Sequence, residues 1–344
     1  MRTVVYIGNS DSGDISVLEL ASDGGVRPVA TVPVPGIDAP AESLPLALSP
    51  DARLLFAASR NSPFTVTTYG IDARLGSLSV VGQGQLPASM AYIATDRRGR
   101  YLLAAAYNEA LVSSSAIGAT GAIGATLDVV ATAPGAHAIQ ADLANARVLY
   151  TSLGGDVVGQ RQLDAQTGEL REMEPSVVKL PSGAGPRHFA FSPDGKLVFV
   201  LGELDGSIYS YPYDPSAGLG RSFTYRTSAL PDGFMGKPWA ADIHLTPDGR
   251  FLFASERTSS SLTAFRVDAS DGKLARVGSY STAAQPRAFA LDPSGRYLLA
   301  VGERSHTMSV HAIDASTGAL TLVGEHAVGG KPNWVEVVEL GRLS

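Results

Sequence analysis

Apolar residues along this chain fall into short runs separated by tight polar turns, and one arrangement recurs. An apolar run leads into a turn built on Ser or Asp with Pro and Gly, and a second apolar run follows. The clearest copies read FAFSPDGKLVFV from Phe189, IHLTPDGRFLFA from Ile243 and FALDPSGRYLLA from Phe289, with weaker copies around Ser49, Asp96 and Asn145. The runs are rich in Val, Leu, Phe, Tyr and Ala and bounded by Gly, Pro, Asp or Ser, which predicts paired β-strands. No long apolar stripe of 3.6-residue period is present, so helix is expected to be scarce.

Taking the small residue of each turn as a marker (Ala52, Gly99, Ala146, Gly195, Gly249, Gly295), the intervals are 47, 47, 49, 54 and 46 residues. A β-type repeat of this length predicts propeller blades. The chain ends supply a further blade. Asn333 to Val338 reads as an innermost strand, and Val4 to Ile7 and Ile15 to Leu20, joined by a turn at Asp11 to Asp14, read as the strands that follow it. A blade shared between the termini closes the circle and leaves no terminal strand unpaired. The expectation is an all-β, seven-bladed β-propeller occupying residues 1–344 as one domain, its last blade closed by N- and C-terminal strands. The Gly- and Ala-rich stretch from Ala116 to Ala125 falls where the second repeat needs its outer strands, so it is read as blade and not as linker.

Composition narrows the function. The hydrophobic fraction of 44% and charged fraction of 17% suit an ordered chain with many buried sheet faces. The absence of Cys excludes a disulfide framework and thiolate chemistry. The N-terminal MRTVVYIGNSDSGD has neither the apolar core of a signal peptide nor a stretch able to span a bilayer, so no membrane partner and a cytoplasmic location are expected. With a net charge of −6 and no basic run, no nucleic-acid partner is expected. Binding of an anion would need locally gathered positive charge.

Propeller topology says where that charge could gather. Residues just before the innermost strand of a blade and just after the second strand meet around one mouth of the central channel, because the two strands are antiparallel neighbours. The first position reads Tyr92, His137, Arg187 with His188, Asp242, Arg287 and Asn333 with Trp334. The second reads Asn9, Arg60, Tyr107, Gly154, Glu203, Arg257 and Glu303. These lists hold four arginines, two histidines, two glutamates and an aspartate, where Ser, Thr or Gly would have closed the blades. Charges crowded at the end of a low-dielectric funnel raise one another's desolvation cost, a pattern typical of ligand and catalytic sites.

Each position also has a purely structural reading. Arg187 in GAGPRHF and Arg287 in AAQPRAF open two innermost strands. Their guanidiniums suit either carboxylates that brace neighbouring blades or a substrate carboxylate or phosphate. His137 could bond backbone, and Glu203 could serve only as a salt-bridge partner. Elsewhere, His244, His306, His311 and His326 lack metal-ligand spacing, and the chain has no H-E-x-x-H, P-loop or G-x-S-x-G, so neither metal nor organic cofactor is expected. Asp194 and Asp248 in the Pro-Asp-Gly turns are read as caps of their own backbone.

Several segments resemble the lactonase family of seven-bladed propellers: GAGPRHFAFSPDGK at 183 to 196, GELDGSI at 202 to 208, KPWAADIHLTPDGRFLFASERTSSSLTAF at 237 to 265, QPRAFALDPSGRYLLAVGERSH at 285 to 306 and GGKPNWVEV near the C-terminus. The likeness runs from VVYIGNSDS to the last strand. It implies hydrolysis of a sugar-acid lactone, 6-phosphogluconolactone first, with an unphosphorylated aldonic or aldaric lactone or a muconate-type cyclisation as alternatives. It also implies that His137, Arg187, Glu203 and Arg287 belong to the site. The chain departs from the bacterial pattern at GAHAIQADLANAR, where Leu-Ala replaces a Ser-Pro turn, and in the small, bland segment from Ser113 to Gly124.

On this reading a small anionic sugar lactone is held by Arg257 and Arg287. Water is activated by Glu203 or His137, and Arg187 and His188 stabilise the oxyanion; Arg60, Asp242, Tyr107, Trp334 and Glu303 complete the substrate contacts. A monomer or weak dimer is expected. A propeller serving only as an interaction platform is the alternative of another class, and it predicts an exposed patch with a plugged channel.

Overall fold

The computed structural model describes residues 2–37 and 40–341. Among these, the strands form seven antiparallel sheets, and the helical structure is one 3-10 turn at Leu153–Gly155. Blade 1 comprises Leu46–Leu48, Leu54–Ala58, Thr65–Ile71 and Leu78–Gln85. Blade 2 comprises Met90–Thr95, Tyr101–Ala106, Leu111–Ile117 and Ile123–Ala131. Blades 3 and 4 begin with Ala136–Ala141 and Pro186–Phe191, and each splits its outer edge into two short strands. Blades 5 and 6 begin with Ala240–Leu245 and Pro286–Leu291. Blade 7 takes its inner strand, Pro332–Leu340, from the C-terminus and the other three, Arg2–Asn9, Asp14–Leu20 and Val26–Pro33, from the N-terminus. Val4 pairs with Val338 and Ile7 with Val335, which latches the ring. The expected seven-bladed fold and its shared blade are both present. The Ala116 to Ala125 stretch lies in two paired strands and their turn.

Blade strands bury both faces, which is why they read as nearly continuous apolar runs. Successive residues point to opposite neighbours: Val4 and Tyr6 pack with Leu46 and Leu55 of blade 1, while Val5 and Ile7 pack with Leu299 and Val301 of blade 6. The same alternation builds a core between every adjacent pair of blades. Phe251 and Phe253 meeting Phe289 and Leu298 between blades 5 and 6 is one example.

The turn sequence locks adjacent blades together. Its first residue, Ser, Thr or Asp, accepts backbone N–H groups five positions on, as from Tyr101 to Asp96 (2.8 Å) and from Leu197 to Ser192 (2.9 Å). Gly249 and Gly295 adopt φ of +71° and +70°, and a Cβ there would stand 2.9 and 3.0 Å from Pro193 and Pro247 of the preceding blade. The glycine is therefore required twice, for its left-handed backbone and for the proline that seats on it. In blade 3 the left-handed residue is Asn145 (φ 56°), not Ala146, so the marker intervals on either side become 46 and 50 residues. Asn tolerates this conformation better than most residues, and its amide bonds across to the preceding blade, donating to Asp96 Oδ2 at 2.9 Å and accepting from Arg97 N at 2.8 Å.

Candidate functional site

Bulges at the start of the inner strands build the site. Pairing between first and second strands breaks register between Met90 and Tyr92, Ala136 and Ala138, Pro186 and Phe189, Ala240 and Ile243, and Pro286 and Ala288. The residues inside these breaks are Ala91, His137, Arg187 with His188, Ala241 with Asp242, and Arg287. A bulge frees its residues from the ladder and re-aims their side chains, here into the channel. Immediately before three of these strands the backbone turns left-handed, at Gly135, Gly185 and Gln285, and Lys331 does the same before blade 7.

A cup of about 460 Å³ opens at this face, lined by Glu42, Arg60, Ala91, Tyr107, His137, Glu203, Trp239, Arg257, Gln285, Arg287, Glu303 and Lys331. Four cations face three carboxylates in this lining, and Arg187 lies directly behind Glu203. Positive charge is thus gathered locally in a chain whose net charge is −6.

Glu203 is the centre of the arrangement. Its Oε2 lies 3.0 Å from Arg187 Nε and accepts from Arg257 Nη2 at 2.7 Å. Oε1 makes no hydrogen bond among the described residues, and the side chain, 14% exposed, reaches the cup. Arg257 is committed to the protein. Beyond Glu203 it donates to the carbonyls of Trp239 and Ala240, and its guanidinium lies 4.0 Å from the centre of the Trp239 ring. Arg287 is freer, donating through Nη1 to Glu303 Oε1 (3.1 Å) and to the Glu42 carbonyl (3.3 Å).

His137 stands at the floor of the cup with its ring edge-on to Tyr107 and His188. Its Nδ1 is buried without a partner, which leaves Nε2 as the nitrogen available to the cup. Burial, reinforced by Arg187, His188, Arg287 and Arg257, pushes its pKa well below the usual histidine range. It is a neutral imidazole at pH 7.

The predicted mouth divides into two storeys. Arg60, Tyr107, His137, Glu203, Arg257, Arg287 and Glu303 line the cup. Arg187 is beneath it, 1% exposed, and donates to the Ala241 carbonyl. Burial and the nearby Arg257 lower its pKa to about 9, so it keeps its charge at neutral pH. His188, Asp242 and Trp334 face away from the cup, into a hollow of about 310 Å³ that also receives Tyr92, Gln140, His244 and Glu336. Turn residues Pro247 and Pro293 line it too, so it lies toward the opposite face of the disc. The Arg187 and His188 donors are therefore not aimed at a ligand in the cup, and Asp242 and Trp334 cannot contact one there.

What joins the storeys is a hydrogen-bonded chain. His188 Nδ1 donates to the Asp242 carboxylate at 2.7 Å, since the carboxylate has no proton to give. Nε2 then carries the lone pair and accepts from Arg187 Nη1 at 3.1 Å. Burial and Arg187 lower the His188 pKa to about 4. Burial alone would raise that of Asp242, but His244 and His188 outweigh it and hold the carboxylate well below its usual range. The chain runs Asp242, His188, Arg187, Glu203, Arg257, from the lower hollow to the cup.

Five lining residues escaped the sequence reading: Glu42, Ala91, Trp239, Gln285 and Lys331. Gln285 and Lys331 had a legible signal, because they replace glycine at the left-handed position that Gly135 and Gly185 hold in other blades. A long side chain kept there costs of order 1 kcal/mol of backbone strain, which points to use. Glu42 lies in the connection before blade 1, where blade comparison has no equivalent position.

Comparison with known proteins agrees with this architecture. Residues 3–337 match the family described as Lactonase, 7-bladed beta-propeller. The 6-phosphogluconolactonase of Erwinia tasmaniensis is 38% identical over 85% of this chain and 85% of its own length, and that of Pectobacterium carotovorum is 37% identical over the same shares. Among solved structures, a periplasmic gluconolactonase of Pseudomonas aeruginosa superposes with a TM-score of 0.88 at 26% identity, covering 99% of this chain and 100% of that one. A protein from Lactobacillus plantarum does so at 0.85 and 25%, covering 98% and 100%.

Proposed function

The chain belongs to the lactonase family of seven-bladed β-propellers, and from that premise we propose that it hydrolyses 6-phosphogluconolactone to 6-phosphogluconate. The observation that carries the mechanism is Glu203, whose Oε2 is held by two guanidiniums while Oε1 faces an open, cationic cup. Glu203 Oε1 takes a proton from water as the oxygen attacks the lactone carbonyl. His137, neutral, donates to the developing oxyanion, and such a donor is typically worth about 3 kcal/mol of barrier. Collapse of the tetrahedral intermediate breaks the ring C–O bond. The departing alkoxide takes the proton back from Glu203, which leaves a hydroxy acid and the starting enzyme.

Of the two bases the sequence leaves open, Glu203 and His137, the proposal takes Glu203. His137 as base would become a cation among arginines, the state its surroundings most oppose. Arg187 and His188 become positioning residues, since they reach the reacting atoms only through Glu203. Arg257 holds the carboxylate and the Trp239 wall.

With this substrate the proposed location is the cytoplasm, where phosphorylated sugar acids are retained; among the described residues no helix is long and apolar enough to cross a membrane. A monomer or weak dimer without a nucleic-acid partner fits it, because the positive charge sits inside the cup. The test is lactone opening by purified protein, followed by acid release against the spontaneous rate. A kcat/KM for 6-phosphogluconolactone at least tenfold above that for unphosphorylated gluconolactone is expected; equal or reversed preference would assign the protein to the unphosphorylated lactone, and no acceleration of either would end the proposal.

A further inference from the structure

Arg60 is a buried cation with an incomplete set of partners. Its side chain is 4% exposed. Nε and Nη1 donate to the hydroxyls of Ser89 (3.1 Å) and Ser43 (3.2 Å), both neutral. Nη2 is buried and lacks an aligned acceptor, although the Glu42 carboxylate comes into contact with it. That carboxylate belongs to a side chain 64% exposed, and among the described residues Arg60 is the cation paired with it. A buried guanidinium normally takes a buried, bidentate anion. Here the anion is the carboxylate of a mostly exposed side chain at the edge of a cup.

Two more cations converge on the same short segment. Arg287 Nη1 donates to the Glu42 carbonyl at 3.3 Å, and Lys331 Nζ to the Ala41 carbonyl at 3.5 Å. All three line the cup, and Lys331 is held there by a left-handed backbone.

We propose that Arg60, Arg287 and Lys331 form the subsite for the phosphoryl group of the substrate, and that Glu42 is a resident carboxylate which the phosphate displaces into solvent. The inference rests on the reading of the cup as a phosphosugar-lactone site and adds the residues that read the phosphate. Glu303 answers Arg287 and Asp11 lies 3.9 Å from Lys331, so Arg60 is the one of the three whose counter-ion is a mostly exposed side chain, and a phosphomonoester of charge about −1.5 to −2 serves it better than Glu42 can. Its three oxygens can also take the Nη2 donor that Glu42 meets poorly. Displacement is cheap because the Glu42 carboxylate is already mostly hydrated. An unphosphorylated lactone leaves Glu42 in place, so the exchange contributes to discrimination.

The test uses Glu42→Gln, which removes the competing charge at an exposed position, and Arg60→Lys, which keeps a charge but loses the planar fork. For Glu42→Gln, KM for 6-phosphogluconolactone and the inhibition constant of inorganic phosphate should each fall about threefold or more. For Arg60→Lys, the ratio of kcat/KM for phosphorylated over unphosphorylated lactone should fall at least tenfold. A rise in both constants for Glu42→Gln, or an equal loss on both lactones for Arg60→Lys, overturns the proposal. Titration of inorganic phosphate by calorimetry separates this failure from that of the parent reading. Tighter phosphate binding to Glu42→Gln than to the native chain upholds the subsite even if 6-phosphogluconolactone is not turned over. Active hydrolysis of that lactone with no phosphate binding to either protein refutes the subsite alone.

Discussion

Replacing Glu203 by Gln tests the site and the fold together, because the carboxylate lies between two buried guanidiniums. Arg187 and Arg257 are 1% and 6% exposed, and both approach the same oxygen, at 3.0 and 2.7 Å. Gln keeps the shape and removes the charge, which leaves two buried cations facing each other. Breaking a buried pair this way costs roughly 3–5 kcal/mol, mostly as the penalty on the charge left behind. For 344 residues at ~2.1 cal/mol/K each, the unfolding entropy is about 0.7 kcal/mol/K, so Tm should fall by about 4–7 °C. Loss of the base should lower kcat by ~10²–10⁴. Calorimetry and lactone opening on the same preparation read both effects. The sign of the Tm change is the discriminating feature: neutralising a catalytic charge commonly stabilises a protein, because active sites hold like charges together against their repulsion. If Glu203→Gln melts at or above the native temperature, the carboxylate is not the counter-ion of Arg187 and Arg257. If it keeps more than a tenth of native kcat/KM, it is not the base. A second variant, Arg257→Met, should cost less stability when added to Glu203→Gln than when made alone, since the partner it abandons is already gone.

Two further outcomes follow from the buried titrating groups. His137→Gln, which can still donate through its amide, should retain at least tenfold more kcat/KM than His137→Leu. Neither should abolish a pH-rate limb near 6.5, because native His137 is already neutral there; disappearance of such a limb would make His137 the base after all. Burial raises the pKa of Glu336 to about 7 in the lower hollow, with the Trp334 N–H and His244 opposing and Asp242 adding to the rise. A carboxyl whose folded pKa lies above its unfolded 4.5 stabilises the fold below pH 4.5 and loses that contribution as pH rises through 7. Glu336→Gln should therefore gain on the native chain between pH 5 and 8, by up to about 3 kcal/mol or roughly 4 °C in Tm. A difference that does not vary with pH would show that Glu336 is ionised throughout.

The ring was legible because its determinants are local and repeated. Apolar runs, the capping Ser, Thr or Asp and a left-handed turn residue, most often Gly, recur from blade to blade, so errors such as Ala146 for Asn145 shift one marker without moving a strand. The mouth was legible as a set, since antiparallel pairing alone brings the end of one strand beside the start of its neighbour. Its division into storeys was not. Arg187 and His188 are consecutive, and the bulge between Pro186 and Phe189 turns one under the cup and the other toward the lower hollow. A bulge is a property of strand pairing, and nothing in PRHF announces it. Glu42 was invisible for a different reason, being outside the repeat that made comparison possible.

These placements explain how so few residues can hold a reactive carboxylate still. Glu203 follows the second strand of blade 4, Arg187 opens the first strand of the same blade, and Arg257 follows the second strand of blade 5. Their relative positions are thus fixed by the core between blades 4 and 5, where Phe199, Leu201, Ile243, Leu252 and Phe265 are buried almost completely. Moving Glu203 by an ångström means sliding one blade against its neighbour, which close packing resists. From below, Asp242 of blade 5 fixes the tautomer of His188 of blade 4, so that Arg187 meets a lone pair and not a proton. The same interface that supplies stability therefore supplies preorganisation, and the donors need no rearrangement when charge develops on the lactone carbonyl. A cavity-forming substitution in that core, far from any ligand, should lower kcat more than it raises KM, because it loosens the base and leaves the Arg60 side of the cup intact.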